Sequence, residues 1–349
     1  MQGLAVYAEN MCPDFRTCCA AVGPEIRTEL ELQDSGRFQR LVALVCPAGR
    51  IDDLTARYPA TSQGFTRRSL LALSSGAAAS LALSHGSVSA QEGFKFGLTP
   101  VFLSNDLELL ALLRAYLTEA IGEPVELVSR RTYQEITALL VAGQLHAAWI
   151  CGYPYVQFKT ELDLVATPSW HGKPLYQSYL IAAADSPTER WEDLKGDIHA
   201  FSDPDSNSGF LVTRALLAEN GLKPEGFFVR TFYTYGHRNV IRAVAAGLAQ
   251  SGSVDGYVWD VMREMEPDLV NQTRVVRRSE WLGFPPVASS RALVGDPRIT
   301  RLKEALTAMD RHEEGRKVLA LLRLDGFVAT KPALFDAIAA KVDAVRRFG

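Results

Sequence analysis

The sequence predicts an α/β protein in which two lobes enclose a ligand cleft. From Gln91 onward, short apolar segments alternate with amphipathic helical patterns, which is typical of a mostly parallel sheet covered by helices on both faces. The alternation falls into two blocks, and the second block begins at Gln177. Polar clusters follow the predicted strands, at the ends where ligands bind in such sheets. These observations predict a binding site between the blocks.

The elements of the two blocks follow one another in order. Residues 91–180 together with 285–349 are assigned to the first lobe, and 181–284 to the second. Short apolar or β-branched runs predict the strands, which are Phe94–Leu98, Val125–Ser129, Ala147–Cys151, Gln177–Ala184, Ile198–Ser202, Phe227–Tyr233 and Gly256–Trp259. Apolar residues three and four apart predict the helices, which are Leu107–Ile121, Tyr133–Ala142, Gly209–Asn220, Asn239–Ala249 and a tail over Arg298–Phe348 that is interrupted near Asp325–Pro332. We expect the crossing strands near Gln177–Ala184 and Pro285–Ser290 to act as a hinge.

The residues before this region do not fit the same pattern. Residues 1–63 show no clear alternation of strands and helices, and we interpret them as a doubtful leader that results from a mis-assigned start codon. A genuine cytoplasmic extension is the alternative.

The next segment, 64–90, has the form of an export signal. It contains the pair Arg67 and Arg68, a weakly hydrophobic run rich in alanine and leucine, and a small-x-small cleavage pattern that ends at Ala90. The paired arginines predict export to the periplasm by the twin-arginine route. Serine and glycine interrupt the apolar run, which disfavours the alternative of a permanent membrane anchor.

Charge and cysteine content narrow the possible partners. The chain has 349 residues with a formal net charge of -3, and it lacks a basic stripe with interleaved aromatics, so we expect no nucleic acid partner. Four of its five cysteines lie in the doubtful leader, which leaves Cys151 alone in the exported part. An internal disulfide is therefore not expected there. Cys151 is either a buried small hydrophobe or a residue retained for its thiol chemistry.

The most informative segment is Phe201–Gly209, which reads FSDPDSNSG and leads directly into an amphipathic helix. Ser206, Asn207 and Ser208 are small polar residues at the start of that helix. The first N–H groups of a helix have no intrahelical partner and carry partial positive charge, so such a turn favours an anion. The alternative is that Ser206 or Asn207 only caps the helix.

Three segments carry a resemblance to a known family. These are AWICGYPYV at 148–156, the SDPDSNSG turn, and YGHRNVIRAVAAGLAQSGSVDGYVWDV from Tyr235. Together they resemble the phosphate, phosphite and phosphonate periplasmic binding proteins of ABC transporters, and the resemblance covers nearly the whole exported part. It implies the type II periplasmic-binding-protein fold and capture of a small oxyanion, with no cofactor and no metal.

The resemblance also implies roles for particular residues. Ser206, Asn207 and Ser208 match the turn that holds the oxyanion from the second lobe, with Asn207 at a position where threonine is usual. Tyr133 matches a tyrosine that contacts the ligand from the first lobe. His237 matches a histidine that reaches the anion, although a plain capping residue is the alternative.

A loop in the first lobe bears on which ligand is bound. Cys151 and Tyr153 match the segment that closes over the ligand's substituent, but a cysteine replaces the small residue that is frequent in phosphonate binders. This cysteine resembles an arsenite-binding sensory branch of the same family, in which Cys151 would be an arsenic ligand and the partner a membrane sensor kinase. The main expectation is a monomer that delivers its ligand to an ABC permease.

Charged residues near the expected cleft leave alternatives open. Arg130 and Arg131 lie beside Tyr133 and can neutralise an anion, or they can form a solvated pair. Asp255 and Asp260 can accept a proton-bearing ligand oxygen, or they can be carboxylates at a helix start. We take Asp260 as the ligand residue of the two.

Enzyme motifs are scarce in the exported part. It has no G-x-S-x-G elbow, no HExxH, no Walker loop and no CxxC. A serine of the 206–208 turn and His237 can still approach one another, so a cleft hydrolase remains a less favoured alternative. We therefore predict a binding protein and not an enzyme.

Overall fold

The computed structural model describes residues 28–34, 37–43, 93–100 and 107–348, the first two ranges by their backbone alone. The chain divides into two compact units, Met1–His85 and Gly86–Gly349. The predicted export signal and most of the predicted leader lie outside the described residues, so those interpretations stay predictions.

The first unit contains a hairpin. Strands β1 (Thr28–Asp34) and β2 (Arg37–Ala43) pair antiparallel, with Thr28 opposite Ala43 and Asp34 opposite Arg37. This hairpin was not predicted, because residues 1–63 show no clear alternation of strands and helices. Its sequence signal is the alternation of glutamate and leucine in ELEL at 29–32.

The second unit holds the α/β structure. Its strands are β3 (Phe94–Leu98), β4 (Val125–Ser129), β5 (Ala147–Trp149), β6 (Leu162–Ser169), β7 (Leu175–Tyr176), β8 (Ser178–Ala183), β9 (Ile198–Phe201), β10 (Arg230–Tyr233), β11 (Ser251–Asp255), β12 (Thr273–Arg278), β13 (Leu282–Gly283), β14 (Val287–Ser290) and β15 (Gly326–Val328). Its helices are α1 (Leu107–Ile121), α2 (Tyr133–Val141), α3 (Gly152–Gln157), α4 (Val212–Glu219), α5 (Pro224–Phe227), α6 (His237–Ala245), α7 (Gly256–Met265), α8 (Pro267–Val270), α9 (Pro297–Thr307), α10 (Glu313–Leu322) and α11 (Asp336–Phe348).

These strands form two main sheets. The six-stranded sheet has the order β15-β6-β14-β5-β3-β4, and β3 runs parallel to both β4 and β5. The five-stranded sheet has the order β10-β9-β11-β8-β12, with β9 parallel to β10 and β11. The carboxyl ends of these parallel strands lead into the turns that begin helices α2, α3, α6 and α7 and the segment before α4. The polar residues in these turns therefore lie at the carboxyl ends of the parallel strands in both sheets.

The chain crosses between the sheets twice. It leaves β6 for β8 through β7 and returns from β12 to β14 through β13, and β7 and β13 pair antiparallel with each other. Tyr176 and Phe284 at these crossings are fully buried, and their ring centroids lie 5.4 Å apart. The hydrophobic core is thus continuous from one sheet to the other.

The structure corrects one predicted strand and shortens four others, of which Gln177–Ala184 loses only one residue at each end and Ile198–Ser202 only its last residue. Gly256–Trp259 is the first part of helix α7, and the strand before it is Ser251–Asp255. The small residues of SGSV gave a weak strand pattern, but small residues are needed there: a Cβ at Gly252 would lie 2.5 Å from Val240 of α6. The strand predicted at Phe227–Tyr233 begins only at Arg230, after helix α5, and the strand predicted at Ala147–Cys151 ends at Trp149.

Candidate functional site

The SDPDSNSG segment forms a buried turn after β9. Ser206 is the N-cap of a π-helical turn, Asn207–Leu211, which continues into α4, and its Oγ accepts the N–H of Gly209 at 3.0 Å. Ser206, Asn207 and Ser208 are at most 1% exposed. The hydroxyl of Ser206 therefore caps the helix, as the alternative interpretation expected. Capping does not explain why three consecutive polar residues are buried.

Gly209 allows this turn to pack against His237. A Cβ at this position would overlap the side chain of Ser202 and lie 2.9 Å from His237 Cε1. The glycine of the motif is therefore required by close approach rather than by an unusual backbone angle. The consequence is that the start of the 207–211 turn and the start of α6 lie side by side.

Tyr133 and His237 meet at the centre of the site. Tyr133 begins α2 beside the six-stranded sheet and His237 begins α6 beside the five-stranded sheet, and the Tyr133 hydroxyl lies 3.2 Å from His237 Nε2. Both side chains are buried. Residues that are 104 positions apart in sequence thus form one polar contact between elements of the two sheets.

The protonation of His237 follows from its second contact. The backbone N–H of Asp255 donates to His237 Nδ1 at 3.0 Å, so Nδ1 carries no proton. Burial lowers the pKa of His237 to about 3, which keeps the ring neutral with its proton on Nε2. Nε2–H then donates to the Tyr133 oxygen. The proton of the Tyr133 hydroxyl remains for another acceptor.

Cys151 contacts the same turn. It is the N-cap residue of α3, is 2% exposed, and its Sγ accepts the backbone N–H of Asn207 at 3.2 Å. Burial raises the pKa of the thiol to about 12, so the group is a neutral thiol at physiological pH. A neutral buried thiol is a poor nucleophile and a poor soft-metal ligand.

A second tyrosine holds the side chain of Asn207. Asn207 Nδ2 donates to the Tyr176 hydroxyl at 2.7 Å, whereas Asn207 Oδ1 is buried without a hydrogen bond to any residue that the structure describes. Ser178 Oγ donates to the backbone carbonyl of Ser208 at 2.6 Å. Tyr176 of β7 and Ser178 of β8 therefore hold the 206–208 turn in position. Sequence reasoning missed Tyr176, because nothing in LYQSYL distinguishes it from a core tyrosine.

Two aspartates complete the arrangement. Asp203 accepts the backbone N–H of Tyr133 at 3.2 Å and that of Asp205 at 2.8 Å, and burial raises the pKa of its carboxyl. Asp255 caps α7 by accepting the N–H groups of Tyr257 and Val258. Burial raises the pKa of Asp255 to about 7.

The structure gives Asp260 and Tyr153 more peripheral places. The Asp260 carboxylate accepts the Tyr179 hydroxyl at 2.9 Å and pairs with Arg263 at 3.1 Å. The aspartate in contact with His237 is Asp255, five residues earlier, and the contact is made by its backbone N–H. Tyr153 is half-buried in α3, and burial followed by the charge of Asp205 raises its pKa.

We refer to the residues at this junction as the buried polar cluster, which comprises Tyr133, Cys151, Tyr176, Asp203, Ser206, Asn207, Ser208, His237 and Asp255. It contains hydroxyls, an imidazole, a thiol, an amide and two carboxyls, but no arginine or lysine. No group of three or more His, Cys, Asp or Glu residues suited to a metal ion was found in the described part of the chain. Within that same part, no helix is both long and apolar enough to cross a membrane.

Comparison with known proteins decides the family. Residues 96–335, more than half of the chain, match the family described as "ABC transporter, phosphonate, periplasmic substrate-binding protein". The chain belongs to this family. Membership confirms the resemblance drawn from the motifs and implies a periplasmic location. The family consists of transporter components rather than enzymes.

Individual members of the phosphonate-binding family show how far the similarity extends. The Phosphate-import protein PhnD of Mycolicibacterium smegmatis is 29% identical over 196 residues, which cover 52% of this chain and 60% of that protein. A binding protein component of an ABC phosphonate transporter from Pseudomonas aeruginosa superposes with a TM-score of 0.68 at 22% identity, over 73% of this chain and 87% of the other. PhnD1 from Prochlorococcus marinus, solved with methylphosphonate, gives a TM-score of 0.65 at 16% identity, over 72% and 98% of the two chains. These structures confirm the predicted two-lobed periplasmic-binding-protein fold.

Proposed function

We propose that this protein captures a small phosphorus oxyanion at the buried polar cluster and presents it to an ABC permease in the membrane. The observation that carries the proposal is that donors from both sheets converge there without any cation. Tyr133 comes from the side of the six-stranded sheet, and His237 and the Ser206–Ser208 turn come from the side of the five-stranded sheet. We take these two sheets as the two lobes, which keeps the predicted ranges 91–180 plus 285–349 and 181–284 except that Ser178–Leu180 of β8 belong to the second lobe.

Neutral donors suit a ligand that has to be released. Hydroxyl, imidazole and backbone N–H groups stabilise an anion by hydrogen bonds that are stronger when the acceptor is charged. The absence of a buried arginine or lysine from the cluster avoids a fixed ion pair whose separation would slow release. Tetrahedral phosphorus oxyanions have enough oxygens to accept from both lobes at once.

Contacts between the lobes indicate how binding leads to closure. Tyr133 N–H to Asp203, Asn207 N–H to Cys151 and Asn207 to Tyr176 each join elements of different sheets or of the crossing. A ligand held by Tyr133 and His237 together adds affinity only when the lobes are closed. The permease then distinguishes the loaded protein by its closed form. We move the hinge predicted near Gln177–Ala184 and Pro285–Ser290 to the adjoining crossings β7 and β13, because Ser178–Ala183 and Val287–Ser290 lie within the two main sheets.

Support for a phosphorus ligand comes from the family and from Asp255. Two relatives are named for phosphate import and for a complex with methylphosphonate. A carboxyl whose pKa burial raises to about 7 can remain protonated beside an anion, or it can accept a proton from a ligand that still carries one. Phosphate and phosphonates carry such a proton near neutral pH, and sulfate does not.

The arsenite alternative has less support. It requires an As–S bond at Cys151, whereas this thiol is buried, already accepts the Asn207 N–H, and is the one cysteine side chain described, so no second thiol is at hand to strengthen the bond. We therefore assign Cys151 a packing and hydrogen-bonding role in the turn. We propose export by the twin-arginine pair Arg67 and Arg68 and a monomeric state, as the sequence predicts.

Calorimetric titration of the purified protein tests this function. We expect phosphate, phosphite or methylphosphonate to bind without being consumed, and sulfate and arsenite not to bind. Cys151→Ser should change the affinity for the phosphorus ligand by less than about 1 kcal/mol, the contribution of one neutral hydrogen bond. Failure of all three phosphorus oxyanions to bind would contradict the proposal. Arsenite binding that Cys151→Ser abolishes would support the sensor alternative instead.

A further inference from the structure

An open, solvent-accessible cavity lies at the two turns that precede Tyr133 and His237 of the buried polar cluster. Its volume is about 620 Å³, and its walls include Ser129, Arg130 and Arg131 on one side and Thr234, Tyr235 and Asn239 on the other. We refer to it as the cleft-mouth cavity. Because its walls come from elements of both sheets, a group bound there contacts both lobes.

One wall of this cavity is positively charged. Arg130 Nη1 donates to the carbonyl of Ser129 at 2.8 Å, which leaves most of its guanidinium donors unused. The Arg131 guanidinium forms no hydrogen bond or ion pair with any residue in the described ranges. Glu135 also lines the cavity, but its carboxylate accepts the N–H and hydroxyl of Thr132 at the start of α2. Two exposed arginines therefore line the cavity together with one carboxylate that is already engaged by Thr132.

The other wall is a braced turn with a tyrosine in an uncommon conformation. Tyr235 has φ of +53°, a left-handed value that a bulky residue seldom adopts, and its side chain is 41% exposed. Asn239 Nδ2 donates to the Thr234 carbonyl at 3.0 Å, and Thr234 Oγ1 donates to the Gly236 carbonyl at 2.9 Å. These bonds hold the turn in place. A ring kept exposed in a strained backbone at a cavity wall indicates a contact surface.

The position of the cavity relative to the cluster suggests its occupant. Arg131 precedes Tyr133 by two residues, and Tyr235 precedes His237 by two residues. A ligand whose phosphorus group is held by Tyr133 and His237 can therefore extend its other end toward both arginines. Guanidinium groups bind carboxylates and phosphoryl groups through paired hydrogen bonds, and tyrosine packs against the chain that links the two ends.

We propose that the cleft-mouth cavity binds the distal anionic group of a two-headed phosphonate, of which phosphonocarboxylates are the simplest class. This inference rests on the proposed function, because the cluster has to hold the phosphonate head. It adds a second recognition site that selects the charge of the substituent. Ligands with a cationic amino substituent should be disfavoured by the same two arginines.

Matched ligand pairs test the proposal. Phosphonoacetate, 3-phosphonopropionate and 4-phosphonobutyrate are compared by calorimetry with alkylphosphonates of the same chain length. At the best chain length we expect the carboxylate to bind at least about fivefold more tightly, the effect of a partly exposed charge pair. The double variant Arg130→Gln, Arg131→Gln should lose this preference while retaining methylphosphonate affinity within about twofold.

Two controls separate the possible outcomes. Arg311→Gln removes one positive charge outside the cavity and should keep the preference for the carboxylate ligand. Arg131→Lys keeps the positive charge but should lose most of that preference, because lysine cannot form paired hydrogen bonds with a carboxylate. No preference in the wild-type protein at any chain length, or a preference that survives in the double variant, overturns this inference alone. Failure of the wild-type protein to bind methylphosphonate overturns the proposed function and this inference with it.

Discussion

Replacing His237 by asparagine should weaken methylphosphonate binding by roughly 100-fold, which corresponds to about 2.7 kcal/mol. The variant loses the Nε2–H donor that reaches the Tyr133 hydroxyl, and Tyr133 loses the contact that orients it. Both effects act on the closed form, in which the two residues are buried together. Calorimetric titration of the variant measures the loss directly.

His199, on strand β9 of the five-stranded sheet, provides a matched control for His237. Its ring is also buried and neutral, with a pKa lowered to about 3 by burial, but it bonds to Ser251 and Ser253 at 2.8 Å each rather than to residues of the cluster. His199→Asn should reduce the melting temperature and leave the methylphosphonate dissociation constant within about twofold. Equal losses of affinity in both variants would show that His237 acts only through the stability of its lobe.

Acid unfolding is a second test of His237 and His199. Both histidines have folded-state pKa values below the ordinary 6.5, so their unfolded forms bind protons first. Their contribution to stability is complete above pH 6.5 and is lost as the pH falls from 6.5 toward 3. Each asparagine variant should therefore be less sensitive to acid over this range than the wild-type protein, relative to its own stability at pH 7.5.

Asp255→Asn should change the dependence of stability on pH. Burial raises the pKa of Asp255 from 3.8 to about 7, and the difference corresponds to about 4 kcal/mol. The proton is held more tightly in the folded state, so this stabilising contribution is complete below pH 3.8 and is lost as the pH rises to 7. Asparagine keeps a cap acceptor for Tyr257 N–H without the buried charge.

Denaturant unfolding at pH 5.5 and pH 8 checks this expectation. Relative to the wild-type protein, the variant should gain about 2 kcal/mol of stability between pH 5.5 and pH 8, because only the wild-type protein loses the Asp255 contribution. Glu264→Gln removes an exposed carboxylate from the same helix and serves as the control. A difference between Asp255→Asn and wild type that does not change with pH would mean that the Asp255 carboxyl is not held protonated by burial.

The fold was predictable from the sequence because its elements are short and regular. Helix Leu107–Ile121 and strand Phe94–Leu98 follow their periodicity without interruption. The strand predicted at Gly256–Trp259 was wrong because its aromatic residues resemble a buried strand. Asp255 is a local N-cap, because its carboxylate accepts the N–H groups of Tyr257 and Val258, and this helix-start signal was outweighed by the aromatic residues that follow it.

The site was predictable only where a motif marks it. Ser206, Asn207 and Ser208 were identified because a small polar turn before a helix has a physical meaning. The structure gathers Tyr133, Cys151 and His237 beside that turn, and the roles of these residues toward a ligand remain proposals. Two further contacts could not be predicted, because each joins residues far apart in the sequence. Tyr176, at the crossing between the sheets, accepts from Asn207, and Asp203 accepts the N–H of Tyr133. Asp260 was chosen over Asp255 because sequence spacing alone cannot show which of two aspartates faces His237.

A crystal structure of the complex with methylphosphonate tests the central claim most directly. The account predicts the phosphonate oxygens within hydrogen-bonding distance of the Tyr133 hydroxyl, His237 Nε2 and the Ser206–Ser208 turn, with no arginine or lysine in contact with the phosphonate group. A phosphonate group held instead by arginine or lysine side chains away from this turn would contradict the account.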